Sequence, residues 1–245
     1  SPSKEVYLNL EQAEMLYDSL RLHADAFIDK DRAALQSLFT VAGAFSSPEK
    51  NLCHYTTSVH GEPLTQGTCF FLSPQLVLTN YHVAKKQDPE SFSEFYDLEQ
   101  TVQSFDGESS AVQTLAVSPL HDLALVKTEK SFAVGPVTLG YYQEGLSSLL
   151  VSFDEEGTSI ERYIPSPEKV YFEKRFLLLE NGVLGLASVV LPRLYSPGDS
   201  GSPFFQEGML VGLLSYVDEK DMNSFVSPKI RTFLSEVLNG VEEHD

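Results

Sequence analysis

The chain has no tryptophan, three methionines and only two cysteines, Cys53 and Cys69, among its 245 residues. Two cysteines cannot build the disulfide framework of a small secreted scaffold, and their spacing is not that of zinc ligands. Whether they pair with each other the sequence leaves open. Positive charge is scarce as well. Seventeen Lys and Arg stand against 35 Asp and Glu, a formal charge of −18. Phosphate backbones are held by clustered cations, so nucleic acid is excluded as a partner. An acidic surface serves solubility first and a basic partner second. Long apolar runs are missing too: Met209-Leu210-Val211 is broken from Leu213-Leu214 by Gly212. That is far short of the ~18 residues a membrane-spanning helix needs, and no membrane span is expected. The chain begins at Ser1 with no basic stretch followed by an apolar one, so it reads as a processed or excised chain.

What is present is globular in character. The hydrophobic fraction is 42% and the charged fraction 21%, and a chain of this length can bury an ample core. Residues 8–39 carry apolar side chains at three- and four-residue steps, from Leu10, Ala13, Leu16 and Tyr17 to Phe27 and Ile28. Asn9 and Gln12 form a capping pair. Asp29-Lys30-Asp31 is expected to interrupt, with a second short helix over Ala33–Phe39. After Ser46-Ser47-Pro48 the texture changes to short apolar runs divided by Gly, Pro, Ser and acidic residues. Strands are expected at Cys69–Leu72, Leu76–Thr79, Val112–Val117, Leu123–Val126, Ser148–Phe153, Val170–Phe172, Phe176–Leu179, Leu184–Val190, Pro203–Phe205 and Met209–Val217. Ser227 as N-cap, Pro228 at the first helical position and Gly240 as a stop bracket a last helix over Lys229–Asn239.

Three segments carry chemistry together. Val77-Leu78-Thr79-Asn80-Tyr81-His82-Val83-Ala84 is an apolar strand that ends on a histidine. His121-Asp122-Leu123-Ala124-Leu125-Val126 sets an aspartate directly ahead of a buried strand, and Pro197-Gly198-Asp199-Ser200-Gly201-Ser202-Pro203 holds a serine in a glycine-bounded turn. A serine hydroxyl is a poor nucleophile until a base takes its proton, and histidine titrates closest to neutral pH. A buried carboxylate on the other ring nitrogen fixes the tautomer and stabilises the imidazolium. The glycines beside Ser200 let the amides of Gly198 and Ser200 aim at one point, as an oxyanion hole requires. His121, next to Asp122, does not end an apolar strand and reads as surface. His23, His54, His60 and His244 have no comparable setting. Cys69 is expected as a small buried apolar residue.

The three segments resemble the chymotrypsin-like serine peptidases. Thr79-Asn80-Tyr81-His82-Val83-Ala84 is similar to the histidine motif of the bacterial branch with glutamyl endopeptidases and exfoliative toxins. Asp122-Leu123-Ala124-Leu125 resembles the family's Asp-Ile-Ala-Leu, and Gly198-Asp199-Ser200-Gly201-Ser202-Pro203 its Gly-Asp-Ser-Gly-Gly-Pro. The resemblance covers about residues 50–240. It implies a mainly β fold of two six-stranded antiparallel barrels with an N-terminal helical extension and a C-terminal helix. The expected divisions are 1–48 for the extension, 49–135 for the first barrel and 136–245 for the second with its helix. It implies a serine endopeptidase with His82, Asp122 and Ser200 as triad, Gly198 and Ser200 as oxyanion hole, and no metal or cofactor. The substrate would be a protein or peptide. The bacterial style of the motifs implies an exported or host-delivered protein.

Departures from the family pattern carry further expectations. Val83 stands where animal relatives have a cysteine. No Ile-Val-Gly-Gly stretch is present, so activation by a newly cut N-terminus cannot run as in trypsin, and Asp199 needs another partner. Leu194, six before the serine, replaces the aspartate that binds Lys or Arg in trypsin-like enzymes. Leu214 stands where glutamyl endopeptidases have a histidine. Leu194 and Tyr195 therefore suggest an uncharged P1 side chain, while Ser215, Tyr216 and Val217 form the extended segment that pairs with substrate backbone. The alternative is a dormant chymotrypsin-fold binding module, or a peptidase switched on by a partner at the N-terminal helices.

Overall fold

The computed structural model describes residues 22, 24, 27, 29–40, 48–84, 98–179 and 182–242. The helical expectation over residues 8–28 lies outside the described residues except at Leu22, Ala24 and Phe27. Helix α1 spans Asp29–Thr40. The expected interruption at Asp29-Lys30-Asp31 is instead its first turn, because Asp29 and Asp31 meet the positive end of the helix dipole there. Asp31 also receives Lys127 Nζ at 2.7 Å, and Leu35 and Leu38 are buried. The helix is therefore part of the core.

Strands β1 (Leu52–Val59), β2 (Glu62–Phe71), β3 (Leu76–Thr79), β4 (Leu98–Ser104), β5 (Ser109–Ser118) and β6 (Leu123–Thr128) close a barrel in the order β1-β2-β3-β6-β5-β4. β1 and β4, with sequences LCHYTTSV and LEQTVQS, were not among the apolar runs. Both are polar at alternate or outer positions, and their strand character comes from pairing with each other and with β2 and β5. Cys53 and Cys69 are register partners of β1 and β2, their Cα atoms 5.0 Å apart, and they are joined by a disulfide. Cys69 is buried, as expected, but as half of this cross-strand pair.

The second half holds β7 (Ser148–Phe153), β8 (Ile160–Tyr163), β9 (Tyr171–Leu179), β10 (Gly182–Leu191), β11 (Pro203–Gln206), β12 (Met209–Asp218) and β13 (Asn223–Ser227). They form a seven-stranded antiparallel sheet in the order β8-β7-β11-β12-β13-β10-β9. The mainly β architecture thus stands, with one closed six-stranded barrel and, where a second six-stranded barrel was expected, a sheet of seven described strands. Tyr171 and Phe172 of the first of these runs belong with Phe176–Leu179 to one strand, β9, paired continuously along β10, and Val170 lies just before it.

A one-turn helix α2 (Tyr81–Ala84) follows β3, and helix α3 (Ile230–Glu242) ends the described chain. Ile230, Phe233, Leu234 and Val237 lie at helical spacing and are all buried. They share one apolar cluster with Leu35 and Leu38 of α1, Leu52 and Phe70 of the barrel, and Val151 and Phe205 of the sheet. Gly240 lies within α3 rather than stopping it. The packed face holds the helix past a residue whose cost is only about 1 kcal/mol. Ser227 does not cap the helix either, since its hydroxyl donates to the carbonyl of His121 at 2.7 Å.

Candidate active site

The pairing of β3 with β6 brings two of the expected site residues together. Thr79, last in β3, is the register partner of Ala124 in β6. The chain leaving β3 and the chain entering β6 therefore meet at the same end of one ladder, and His82 in α2 faces Asp122. Asp122 has φ +53°, an uncommon conformation outside glycine. The side-chain amide of the buried Asn80 donates to the Asp122 carbonyl at 3.0 Å.

The Asp122 carboxylate accepts three hydrogen bonds. His82 Nδ1 reaches Oδ2 at 2.7 Å and the His82 backbone N–H reaches Oδ1 at 3.0 Å. Ser215 Oγ donates to Oδ2 at 2.5 Å. A carboxylate can only accept, so Nδ1 is the donor, and in the neutral ring Nε2 is the nitrogen with the lone pair. Tyr216 stacks on the His82 ring, centroids 5.4 Å apart and planes 22° apart.

Ser200 sits just after a 3₁₀ turn, Pro197–Asp199. The turn is fastened to both halves of the molecule. Thr68 of β2 donates its N–H to the Ser200 carbonyl at 2.8 Å and its hydroxyl to the Gly198 carbonyl at 3.1 Å. From the other side, Gly201 N–H donates to the carbonyl of Leu214 in β12 at 2.8 Å. Gly201 has φ +97°, and a Cβ there would stand 1.8 Å from the Thr68 carbonyl oxygen, so no other residue fits.

The Ser200 hydroxyl is buried and turned to the Ser215 carbonyl at 3.4 Å. The Ser200 N–H donates to the Pro197 carbonyl at 3.3 Å, within its own turn. Asp199, expected to need a partner, has one in the N–H of Ser196 at 3.1 Å. Burial pushes the Asp199 carboxyl up to about 6, the Ser196 bond opposing.

The expected specificity residues divide. Leu194 and Tyr195 line a cleft of about 640 Å³ between the two halves, and Ser224 links them to β13: it accepts from Tyr195 N–H at 3.1 Å and donates to the Arg193 carbonyl at 2.6 Å. Ser215, Tyr216 and Val217 lie in β12 around a shift of register between Leu214 and Tyr216. Sequence reasoning missed Thr68, Asn80 and the Ser215–Asp122 bond. Asn80 was visible two residues ahead of His82, but its partner is set by the β3–β6 register. It also missed His54, half-buried and stacked on Phe153 at 3.7 Å, whose Nε2–H donates to the Gly157 carbonyl at 3.0 Å. Burial lowers the His54 imidazole. His121, expected at the surface, is partly buried, and burial followed by the Lys229 charge lowers it to about 4. Among the described residues no group of His, Cys, Asp or Glu could hold a metal ion.

Residues 67–213 match the model of the trypsin-like peptidase domain, and the chain belongs to that family of serine peptidases. No curated protein sequence matches the chain. Among solved structures it is similar to the active form of the Rv3671c protease from M. tuberculosis. The TM-score is 0.60 and the identity 16%, with 78% of this chain and 82% of that one covered. The inactive form of the Rv3671c protease is also similar, at TM-score 0.56 and 15% identity, covering 78% of this chain and 90% of that one.

Proposed function

We propose that this chain is a serine endopeptidase in which Ser200 attacks the scissile carbonyl, His82 is base and then acid, and Asp122 orients His82. The observation that carries the reading is the 2.7 Å contact from His82 Nδ1 to Asp122 Oδ2, which leaves Nε2 as the free base. In the first step the Ser200 proton passes to Nε2 as Oγ bonds to the carbonyl carbon. Collapse of the tetrahedral adduct expels the amine, which takes that proton from His82 and leaves an acyl-enzyme. Water activated by His82 then releases the acid.

The amides of Gly198 and Ser200 are the proposed oxyanion hole. The ladder of β11 with β12 ends at Leu213, and Ser215, Tyr216 and Val217 are the segment proposed to pair with the substrate backbone. Leu194 and Tyr195 favour an uncharged P1 side chain.

One observation favours a second reading, a peptidase latent until a partner acts. The Ser200 N–H is spent on the Pro197 carbonyl, and an oxyanion hole short of one donor loses about 10²–10³ in rate. Intact-mass measurement after incubation with a fluorophosphonate tests both. A single adduct on the wild type, missing from a folded Ser200→Ala variant, supports the working nucleophile. An adduct of equal yield on Ser200→Ala refutes the assignment, and no adduct on either favours latency.

A further inference from the structure

The two glycines of the Ser200 turn are fixed by different means. At Gly201 packing does it, with Thr68 and Thr79 pressed against the backbone. At Gly198 the space is open: a Cβ there would meet no atom within 4 Å. Glycine also has the widest backbone freedom of any residue. Van der Waals contact therefore cannot set the direction of the Gly198 peptide groups, and a hydrogen bond has to. That bond comes from the Thr68 hydroxyl, which donates to the Gly198 carbonyl at 3.1 Å.

Thr68 is itself firmly held. It is buried, and each of its polar groups is engaged. Its N–H donates to the Ser200 carbonyl at 2.8 Å, and its own carbonyl accepts from Thr79 Oγ1 at 2.9 Å. Thr79 ends β3, three residues ahead of His82. The next residue along β2, Cys69, is bonded to Cys53 of β1, so the strand that presents the hydroxyl is tied to its neighbour. The two main-chain bonds of Thr68 would survive most substitutions there. The bond to Gly198 depends on the side chain, and valine has nearly the same shape without the hydroxyl.

We propose that Thr68 is a positioning residue of the site: its hydroxyl pins the Gly198 carbonyl and so aims the Gly198 N–H at the oxyanion. The N–H and the carbonyl of Gly198 belong to adjacent peptide planes that meet at its Cα, so a loose carbonyl lets the donor swing. Donors fixed in advance stabilise the developing charge because they need no reorientation as it forms. The aiming of the donor rests on the endopeptidase reading; the hold on the turn does not.

Thr68→Val removes the hydroxyl and Thr68→Ser keeps it. Fluorophosphonate labelling of Ser200 should slow about tenfold in Thr68→Val and return to within about threefold of the wild type in Thr68→Ser. Carbethoxylation of His82 by diethylpyrocarbonate, read by mass spectrometry of its peptide, reports the base without using the donor. It should change less than about twofold in either variant. The amides of Asp199, Ser200 and Ser202 are bonded within the turn. Their hydrogen exchange should quicken about threefold or more in Thr68→Val and not in Thr68→Ser. Labelling of Thr68→Val at or above the wild-type rate overturns the aiming role. So does an equal fall at His82, or a serine variant as slow as the valine one, since either marks general structural damage. Unchanged exchange overturns the hold on the turn. A wild type that does not label at all counts against the endopeptidase reading, and the exchange rates then decide the hold by themselves.

Discussion

Asn80 donates from Nδ2 to the backbone carbonyl of Asp122 at 3.0 Å, and Asp122 at that point has φ +53°. The bond secures the backbone whose carboxylate meets the backbone N–H and the ring Nδ1 of His82. Asn80→Ala leaves a buried carbonyl without its donor and should cost about 1–3 kcal/mol of stability. Asn80→Asp keeps the volume but cannot donate as a carboxylate, and should cost at least as much. Denaturant unfolding measures the loss. The pH profile of fluorophosphonate labelling separates a positioning role from a structural one: a profile shifted from the wild type in both variants is expected, and a superimposable one refutes it.

The turn around Ser200 has no room beside Gly201. A Cβ at that position would meet the Thr68 carbonyl oxygen at 1.8 Å. Gly201→Ala must therefore push β2 away from the turn, on top of about 1–3 kcal/mol of backbone strain. Lower unfolding free energy together with loss of Ser200 labelling is expected. A variant that labels at the wild-type rate would show that Thr68 does not hold the turn.

Asp199 gives stability a pH dependence of unusual sign. Burial raises its carboxyl to about 6, above the ~3.9 of an unfolded aspartate. Between those values the folded chain holds a proton that the unfolded chain has released. Stability from this group therefore falls as pH rises from about 4 to about 6, by about 1 kcal/mol once the solvent still reaching it is allowed for. His121 acts in the opposite sense. Burial lowers its imidazole to about 4, so its contribution is lost as pH falls from about 6.5 to about 4. Unfolding curves across this range should lose the first slope in Asp199→Asn and the second in His121→Gln. An Asp199→Asn curve parallel to the wild type would refute the first assignment.

Helix α1 belongs to the core and not to a detachable arm. Leu35 is fully buried in the cluster that joins α1 to α3, the barrel and the sheet. Leu35→Ala should cost about 2–5 kcal/mol. Thermal and chemical denaturation read the change. A loss below about 1 kcal/mol would mean that the helix packs only loosely.

Much of the fold could be read from local chemistry. β3 and β7 have the limits that their apolar runs announce, and α3 lies where a last helix over Lys229–Asn239 was expected. β1, β4, β8 and β13 were hidden, because each is short or polar in alternation and becomes a strand by pairing with neighbours distant in sequence. The start of α1 was misread for a related reason. Two aspartates look like a break in an apolar pattern, yet the first turn of a helix favours them, and Lys127 neutralises Asp31 from another element.

The residues proposed to do the chemistry were legible because each motif is local: a histidine ending a strand, an aspartate opening one, a serine between glycines. Their residue types and order suffice to suggest acyl transfer. Tertiary structure alone decided what those residues bond to. The β3–β6 register joins His82 to Asp122 across 40 positions, and Thr68 ties down Gly198 across 130. The Cys53–Cys69 pairing, the turn of the Ser200 amide toward Pro197 and the cleft between the halves are likewise products of strand register and packing. A sequence specifies side-chain chemistry and backbone preference residue by residue. Hydrogen-bond partners far apart in the chain are fixed only when the sheets close around a shared core.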